Sequence, residues 1–358
     1  MKKEHEMKIN YLTTSLNDKT GGAAYDESFY GMIKEIHNNI TLIDDQTLLH
    51  GKSKSFLSFS KIYRDNLDRI FNADILILNS RLYTRFLFIN NQEIKRRYPN
   101  LRIIMMHHHN NYMNHSGLQF QIHKYLELKM LHLADELVIP NQYVAEQLRI
   151  HHKIFNIIFL RTALEKKKYK VSSLDSKQVL FVGNIQYRKG LDYGIKAFRY
   201  LYEKDKEYKY LIIGNYKESD RYYKKLNRII KKLHLENAVS FLGRVDDERL
   251  DDYYSHAEIF LYPSLLEGYG LVIMEAMGRG VPVICFNNSA IPYSVKNKYN
   301  GFLIDNKNYH KMGKALVKLA FSSNRKKKYQ QGAVDTFNKA YSKEDLRQDM
   351  IQYIKSWE

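Results

Sequence analysis

The sequence predicts two α/β domains in tandem, and three observations carry that reading. Short β-branched runs alternate with longer amphipathic segments almost from end to end, as strands alternate with the helices that cover a parallel sheet. The alternation breaks over residues 161–176 (RTALEKKKYKVSSLDS), where a charge run gives way to small polar residues, and then begins afresh. A length of 358 residues holds two domains of roughly 150 residues each.

In the first domain, strands are read at residues 8–12, 40–43, 74–79 (DILILN), 102–106 (RIIMM), 136–139 and 156–160. Helical patterns fill the gaps. Residues 118–134 place Leu118, Ile122, Tyr125 or Leu126, Met130 and Leu133 at spacings of three and four, which predicts a helix with one apolar face ending before Asp135. In the second domain, strands are read at 178–182, 210–214, 239–242, 258–262, 281–286 and 302–304. From Asn324 the chain reads as helical, with Ser342 and Asp345 spaced as a capping pair for a last helix that ends in Ile354 and Trp357. No repeat of 20 to 50 residues and no low-complexity tract appears.

Composition removes several classes. A content of 44% hydrophobic and 13% aromatic residues is ample for packed cores, which excludes disorder over most of the length. The apolar runs at 103–106 and 281–286 fall far short of the roughly 18 residues that span a bilayer. The opening MKKEHEMKINYLTTSL lacks the sustained apolar stretch of a secretory signal, so a cytoplasmic protein is expected. The single cysteine, Cys285, lies within VPVICF and reads as a small core residue, and no disulfide can form within the chain. With 57 Lys+Arg against 39 Asp+Glu the net charge is +18, which points to nucleic acid, an anionic membrane surface or a phosphorylated substrate, or else to compositional bias. Nucleic acid is not expected, because the aromatic residues fall within helical patterns and no nucleic-acid-binding motif appears. The run from Arg325 to Lys328 reads as a solvated helix face.

The chemistry concentrates in PSLLEGYGLVIMEAMGRGVP, residues 263–282. Glu267 is followed by Gly268, Tyr269 and Gly270, and Glu275 stands eight positions after Glu267 in an apolar helical pattern. This predicts a loop turning into a helix near Gly270 or Leu271, whose glycines let a ligand approach the backbone and whose first N–H groups suit a phosphate. A plainer reading is an exposed loop glutamate followed by a surface glutamate. Arg188 and Lys189 precede Gly190 at the entry to another helix, where cations can hold a diphosphate. His107, His108 and His109 follow the strand RIIMM at the end where open α/β sheets bind ligands. No Cys or carboxylate stands near them at a usual ligand spacing, so no metal is expected. Gly21 and Gly22 follow the first strand and read as a turn.

Together these features resemble a family 4 retaining glycosyltransferase of the GT-B fold, whose E-x7-E motif is matched by Glu267 and Glu275 within EGYGLVIME. Other matches keep the family's order: the Gly21-Gly22 loop, FVGNIQYRKGLDYGIKAF opening the second domain, FLGRV at residues 241–245 and NGFLI at 300–304. The resemblance implies two Rossmann-like domains facing across a cleft, with residues 1–165 binding the acceptor and 170–341 binding the nucleotide sugar. A last helix, 342–358, crosses back to the first domain. It implies donor contacts from Gly21, Gly22, Arg188, Lys189, Glu267, Gly268, Tyr269, Gly270, Leu271 and Glu275, and from Gly243, Arg244 and Val245 around the base. The family usually has an arginine directly after the strand glycine; here Asn184 stands there and is one of the expected donor contacts, with Arg188 the expected substitute for the missing cation. Glu267, His107 and Lys189 are the implied catalytic groups, with His107 near the donor sugar.

Departure of a nucleoside diphosphate requires stabilising charge on the β-phosphate, which Lys189, Arg188 and the helix start at Gly270 can supply without a metal. No Asp-x-Asp triplet occurs in the sequence. Metal independence is expected on these grounds, and the resemblance implies hexosyl transfer with retention, from a nucleotide sugar, UDP favoured, to a glycan or lipid-linked acceptor in bacterial surface polysaccharide or glycoconjugate synthesis. A GT-B nucleotide-sugar epimerase and a basic nucleic-acid-binding protein are the alternatives. For a lipid-linked acceptor, residues 81–98 (RLYTRFLFINNQEIKRRY, Arg81 to Tyr98) mix aromatic and basic side chains as a peripheral contact with the inner face of the membrane would, or form a helix packed on the sheet.

Overall fold

The computed structural model describes residues 6–14, 21–44, 48 and 56–358. They fall into two compact units, one running to Ala163 and resuming at Lys343–Glu358, the other Leu164–Ser342.

The first unit contains β1 (Ile9–Thr13), α1 (Gly21–Ile36), β2 (Ile40–Asp44), α2 (Phe56–Asp65), α3 (Leu67–Phe71), β3 (Ile75–Asn79), α4 (Asn91–Arg97), β4 (Arg102–Met106), α5 (Gly117–Leu131), β5 (Glu136–Ile139), α6 (Gln142–His152) and β6 (Ile157–Phe159). Its sheet is parallel throughout, in the order β2-β1-β3-β4-β5-β6. All five residues of β3 are buried, as a strand covered on both faces requires, so it reads as a continuous apolar run and not as an alternating one.

The second unit contains β7 (Gln178–Val182), α7 (Leu191–Tyr202), β8 (Lys209–Ile213), α8 (Arg221–Lys232), β9 (Val239–Gly243), α9 (Asp247–His256), β10 (Ile259–Tyr262), α10 (Leu271–Gly278), β11 (Val283–Phe286), α11 (Ile291–Ser294), β12 (Gly301–Ile304), α12 (Tyr309–Ala320) and α13 (Ser323–Asn338). Its parallel order, β12-β11-β10-β7-β8-β9, is that of a doubly wound dinucleotide-binding sheet. The strand order reverses between β7 and β10, and a ligand crevice is expected outside their carboxyl ends. Cys285 is buried in this core, and burial pushes its thiol well above the ordinary range.

The last helix, α14 (Lys343–Lys355), belongs to the first unit. It packs on α1, where Phe29 stacks on Tyr353 at 6.4 Å and meets Trp357 edge-on, and the Tyr353 hydroxyl donates to Glu136 at 2.7 Å.

Two sequence expectations need correction. The helix at α5 forms, but the face carrying Leu118, Ile122 and Tyr125 points to solvent, at 76%, 49% and 68% exposure; Leu126, Met130 and Leu131 are the buried side. Residues 81–98 do not present an aromatic surface. Leu82, Tyr83 and Phe86 are buried in the core with Phe71 and Tyr63, and only Phe88 of their large apolar side chains is exposed. The alternative of aromatic side chains packed inward is the one observed, because these residues form a short 3-10 turn pressed between β3 and α4. Among the described residues no helix is long and apolar enough to cross a membrane.

Candidate active site

Loops from both sides of the β7/β10 reversal build the site. After β7 the chain passes Asn184, turns through Tyr187–Lys189 and enters α7 from Gly190, whose φ of 61° is left-handed. A Cβ on Gly190 would lie 2.1 Å from the carbonyl oxygen of Pro263, just past β10, so only glycine permits this approach. The loops are also hydrogen-bonded, with the Leu265 N–H donating to the Arg188 carbonyl at 2.7 Å.

This contact brings Lys189 and Glu267 together. Lys189 is 6% exposed, and its Nζ lies 2.6 Å from Glu267 Oε2 and 2.5 Å from the Tyr262 hydroxyl. Tyr262 in turn donates to the same Oε2 at 2.6 Å, while the Gly268 N–H reaches Oε1 at 3.2 Å. Arg188 is more exposed, with Nη1 3.9 Å from Glu267. Burial disfavours the Glu267 carboxylate, but Lys189, the Tyr262 hydroxyl and Arg188 outweigh it and hold its pKa below the usual range. Burial pulls the Lys189 pKa down, and Glu267 restores part of it. Burial also drives the Tyr262 hydroxyl pKa well upward, with the Glu267 charge adding to it, so the phenol stays a donor.

Beyond Glu267 the chain reaches Gly270 at φ 82°, the N-cap of α10. No side chain caps this helix, which leaves first-turn N–H groups at Leu271 and Val272 for a ligand. Glu275 lies one turn in. Its Oε2 accepts from Tyr254 at 2.9 Å, and burial pushes its carboxyl pKa upward; its bonds run to Tyr254 and not to the Lys189 cluster. Tyr269 and Val245 lie partly buried against the core, and Asn184 and Arg244 are exposed. Gly243 has φ 69° and open space beside its Cα.

In the first unit His107 follows β4, and its ring turns inward. It is fully buried, with Nε2 2.9 Å from Asn110 Oδ1 and Nδ1 2.8 Å from the Ser80 hydroxyl, and burial lowers its pKa to about 3. It is a neutral imidazole with both nitrogens engaged: Nε2–H donates to Asn110 and Nδ1 accepts from Ser80. His108 is the histidine that reaches the surface beside the glycine pair. Its side chain is 12% exposed, a Cβ on Gly22 would touch its ring at 3.5 Å, and Nε2 bonds the buried Asp26 at 2.7 Å. Asp26 also accepts from Asn79 at 2.5 Å. Gly21 is the first residue of α1.

Below these groups, fully buried Glu127 accepts from the N–H groups of Asn111 and Tyr112 at 3.0 and 2.9 Å, tying the segment after the histidines to α5. Tyr262, Asp26 and Glu127 were not singled out in the sequence. Asp26 did carry a signal, as it stands three and seven residues before Phe29 and Ile33 on the buried face of α1, where an acid needs a partner. Among the described residues no group of three or more His, Cys, Asp or Glu side chains could hold a metal ion.

Solved structures share the architecture over almost the whole chain. The sucrose-phosphate synthase of Thermosynechococcus elongatus is similar with a TM-score of 0.76, covering 98% of this chain and 99% of that one at 15% identity. Anabaena HepE, solved with UDP and glucose, gives 0.73 over 98% and 100% at 17% identity. The fold is GT-B. Residues 163–333, the GT-B unit that holds the Lys189 cluster, match the family model described as glycosyl transferases group 1. An uncharacterized glycosyltransferase of Haemophilus influenzae is 27% identical over 82% of this chain and 80% of its own length. The O-antigen chain mannosyltransferase B of Escherichia coli is 35% identical, over 32% of this chain and 29% of that one. These comparisons support a glycosyltransferase.

Proposed function

We propose that the protein is a retaining, metal-independent hexosyltransferase that moves a sugar from a UDP-sugar to a glycan or lipid-linked acceptor of bacterial surface polysaccharide synthesis. The observation that carries this reading is the buried Lys189–Tyr262–Glu267 cluster beside the uncapped start of α10, at the strand-order reversal of the second sheet. The match to an O-antigen mannosyltransferase and the likeness to a protein solved with UDP and glucose support it.

In this reading the bond between the anomeric carbon and the β-phosphate oxygen breaks while the acceptor oxygen bonds to the same face. The acceptor proton passes to the departing phosphate. Lys189, Arg188 and the first N–H groups of α10 stabilise the charge that develops on that phosphate. Glu267, held ionised, faces the sugar hydroxyls and tolerates an oxocarbenium-like centre. Glu275 takes the ribose hydroxyls, and Gly243, Arg244 and Val245 border the base. With a lipid-linked acceptor the enzyme works as a peripheral protein at the cytoplasmic face of the membrane.

The test is incubation with UDP- and GDP-sugars in excess EDTA, following nucleotide release and the anomeric proton of the transferred or hydrolysed sugar by NMR. The reading expects release from a UDP-sugar with the anomeric configuration kept. Release that requires added metal, or an inverted product, contradicts it.

A further inference from the structure

The outer face of α5 carries an apolar row that no described residue covers. Leu118, Ile122 and Tyr125 stand on it at i, i+4 and i+7, all exposed, and Lys129 continues the row at i+11. Lys129 Nζ donates to the Leu87 carbonyl at 3.4 Å, which sets the next residue, half-exposed Phe88, at the far end of the row. Single apolar side chains on a surface need no explanation, but a row at helical spacing that runs on into an exposed phenylalanine is a contiguous patch, and such patches mark interaction surfaces.

The charge around the patch selects its occupant. The one carboxylate of α5, Glu127, is turned into the core, so the helix shows solvent Lys124 and Lys129 and no acid. Beside it, residues 80–98 carry five Lys and Arg against Glu93 alone. Asp135 and Asp68 neutralise Lys95 and Arg97, and Arg96 stays exposed with no ion pair among the described residues. A second copy seated on this face would bring the same cations together. An anionic bilayer matches it instead: apolar side chains enter the headgroup boundary, and the long stem of a lysine runs along it to the lipid phosphates.

We propose that the exposed face of α5 docks the protein on an anionic lipid bilayer, with Leu118, Ile122, Tyr125 and Phe88 entering the interface. α5 runs back from the carboxyl ends of the parallel strands β4 and β5, so Leu118 in its first turn lies at the end of the sheet where His108 meets Gly22. The contact begins at the end of this unit that the proposed function gives to the acceptor. The docking rests on the lipid-linked form of that reading for its purpose, and it needs neither donor nor turnover.

Ile122→Cys and Tyr125→Cys, each labelled with an environment-sensitive fluorophore, read insertion in the full-length protein, because the native Cys285 is buried. Phe321→Cys, at an exposed position of the second unit, is the control. Vesicles of phosphatidylglycerol, without nucleotide or acceptor, should shift both α5 labels to the blue and open them to quenchers carried on the lipid. The control label, and vesicles of phosphatidylcholine, should give little. Leu118→Gln with Tyr125→Gln, which leaves the net charge unchanged, should weaken sedimentation with the anionic vesicles about tenfold or more, and Val171→Gln with Phe321→Gln should leave it unchanged. No shift from the α5 labels, an equal shift from the control or with phosphatidylcholine, or equal weakening by both double substitutions overturns the proposal. A shift that grows with protein concentration in the absence of vesicles overturns it too and assigns the face to a second copy. Since no donor is present, failure here leaves the UDP-sugar reading standing, and failure of nucleotide release in EDTA leaves the docking standing.

Discussion

Lys189 Nζ and Glu267 Oε2 lie 2.6 Å apart in a largely buried corner, joined by the Tyr262 hydroxyl. A buried pair of this kind is costly to break one side at a time, since removing the cation leaves an uncompensated carboxylate. Lys189→Ala should therefore lose about 3 kcal/mol of stability and at least about a hundredfold in transfer rate. Adding Glu267→Gln should restore much of the stability and none of the rate. Denaturant unfolding beside a transfer assay checks both, and recovery of rate with stability would make the pair purely structural.

Gly190→Ala tests the joint between the two loops. The added methyl would meet the Pro263 carbonyl and a left-handed φ of 61°, so the Tyr187–Lys189 turn must shift. The expected loss is about 1–3 kcal/mol with a fall in kcat/KM, because Lys189 is the next residue. Gly243→Ala, with φ 69° but open space, should cost less. Equal losses in the two variants would show that backbone conformation alone, and not the Pro263 contact, demands glycine.

Glu127 gives a pH prediction. Burial pushes its carboxyl from the ordinary 4.5 to about 7, against the N–H donors of Asn111 and Tyr112, which favour the ion. Between those values the folded protein binds more protons than the unfolded chain, so its stability contribution falls as pH rises through that window. Glu127→Gln removes the dependence. The variant should gain on the wild type by roughly 3 kcal/mol between pH 4.5 and 7 and then hold level. His107, lowered to about 3, adds a slope of opposite sign. Parallel stability curves would rule out the titration.

The two faces of α5 and the segment after β3 predict a contrast in stability. Phe86→Ala empties a core position and should cost about 3–5 kcal/mol, whereas Leu118→Ala and Ile122→Ala should each stay within about 0.5 kcal/mol. Chemical unfolding distinguishes them. A cost at Leu118 near that of Phe86 would mean that the exposed stripe is covered in solution.

The same helix shows where sequence reading runs out. Strands such as Arg102–Met106, Glu136–Ile139 and Gln178–Val182 were legible to the residue, because a strand buried on both faces must be an unbroken apolar run. α5 is apolar around much of its circumference, so spacing of three and four is satisfied by either of two faces and only tertiary packing selects one. The orientation of the histidines was not legible for a related reason. Once β4 ends at Met106, loop geometry decides which ring turns inward, and it puts His107 on Ser80 and Asn110 and His108 on Asp26. In the second unit, Glu267, Lys189 and Gly270 were readable because glycine and charge interrupt apolar runs there. Tyr262 was not, since at the end of β10 it looks like any core aromatic.

The most direct test of the central claim, that the Lys189 cluster is a nucleotide-sugar site, is thermal unfolding with UDP, GDP and their sugars in EDTA. Ligand bound to the native state raises the transition temperature by mass action. The account predicts a saturable rise with UDP and one or more UDP-sugars in the wild type, and none in the folded Lys189→Ala/Glu267→Gln protein. No response to any nucleotide, or an undiminished rise in the double variant, would contradict it.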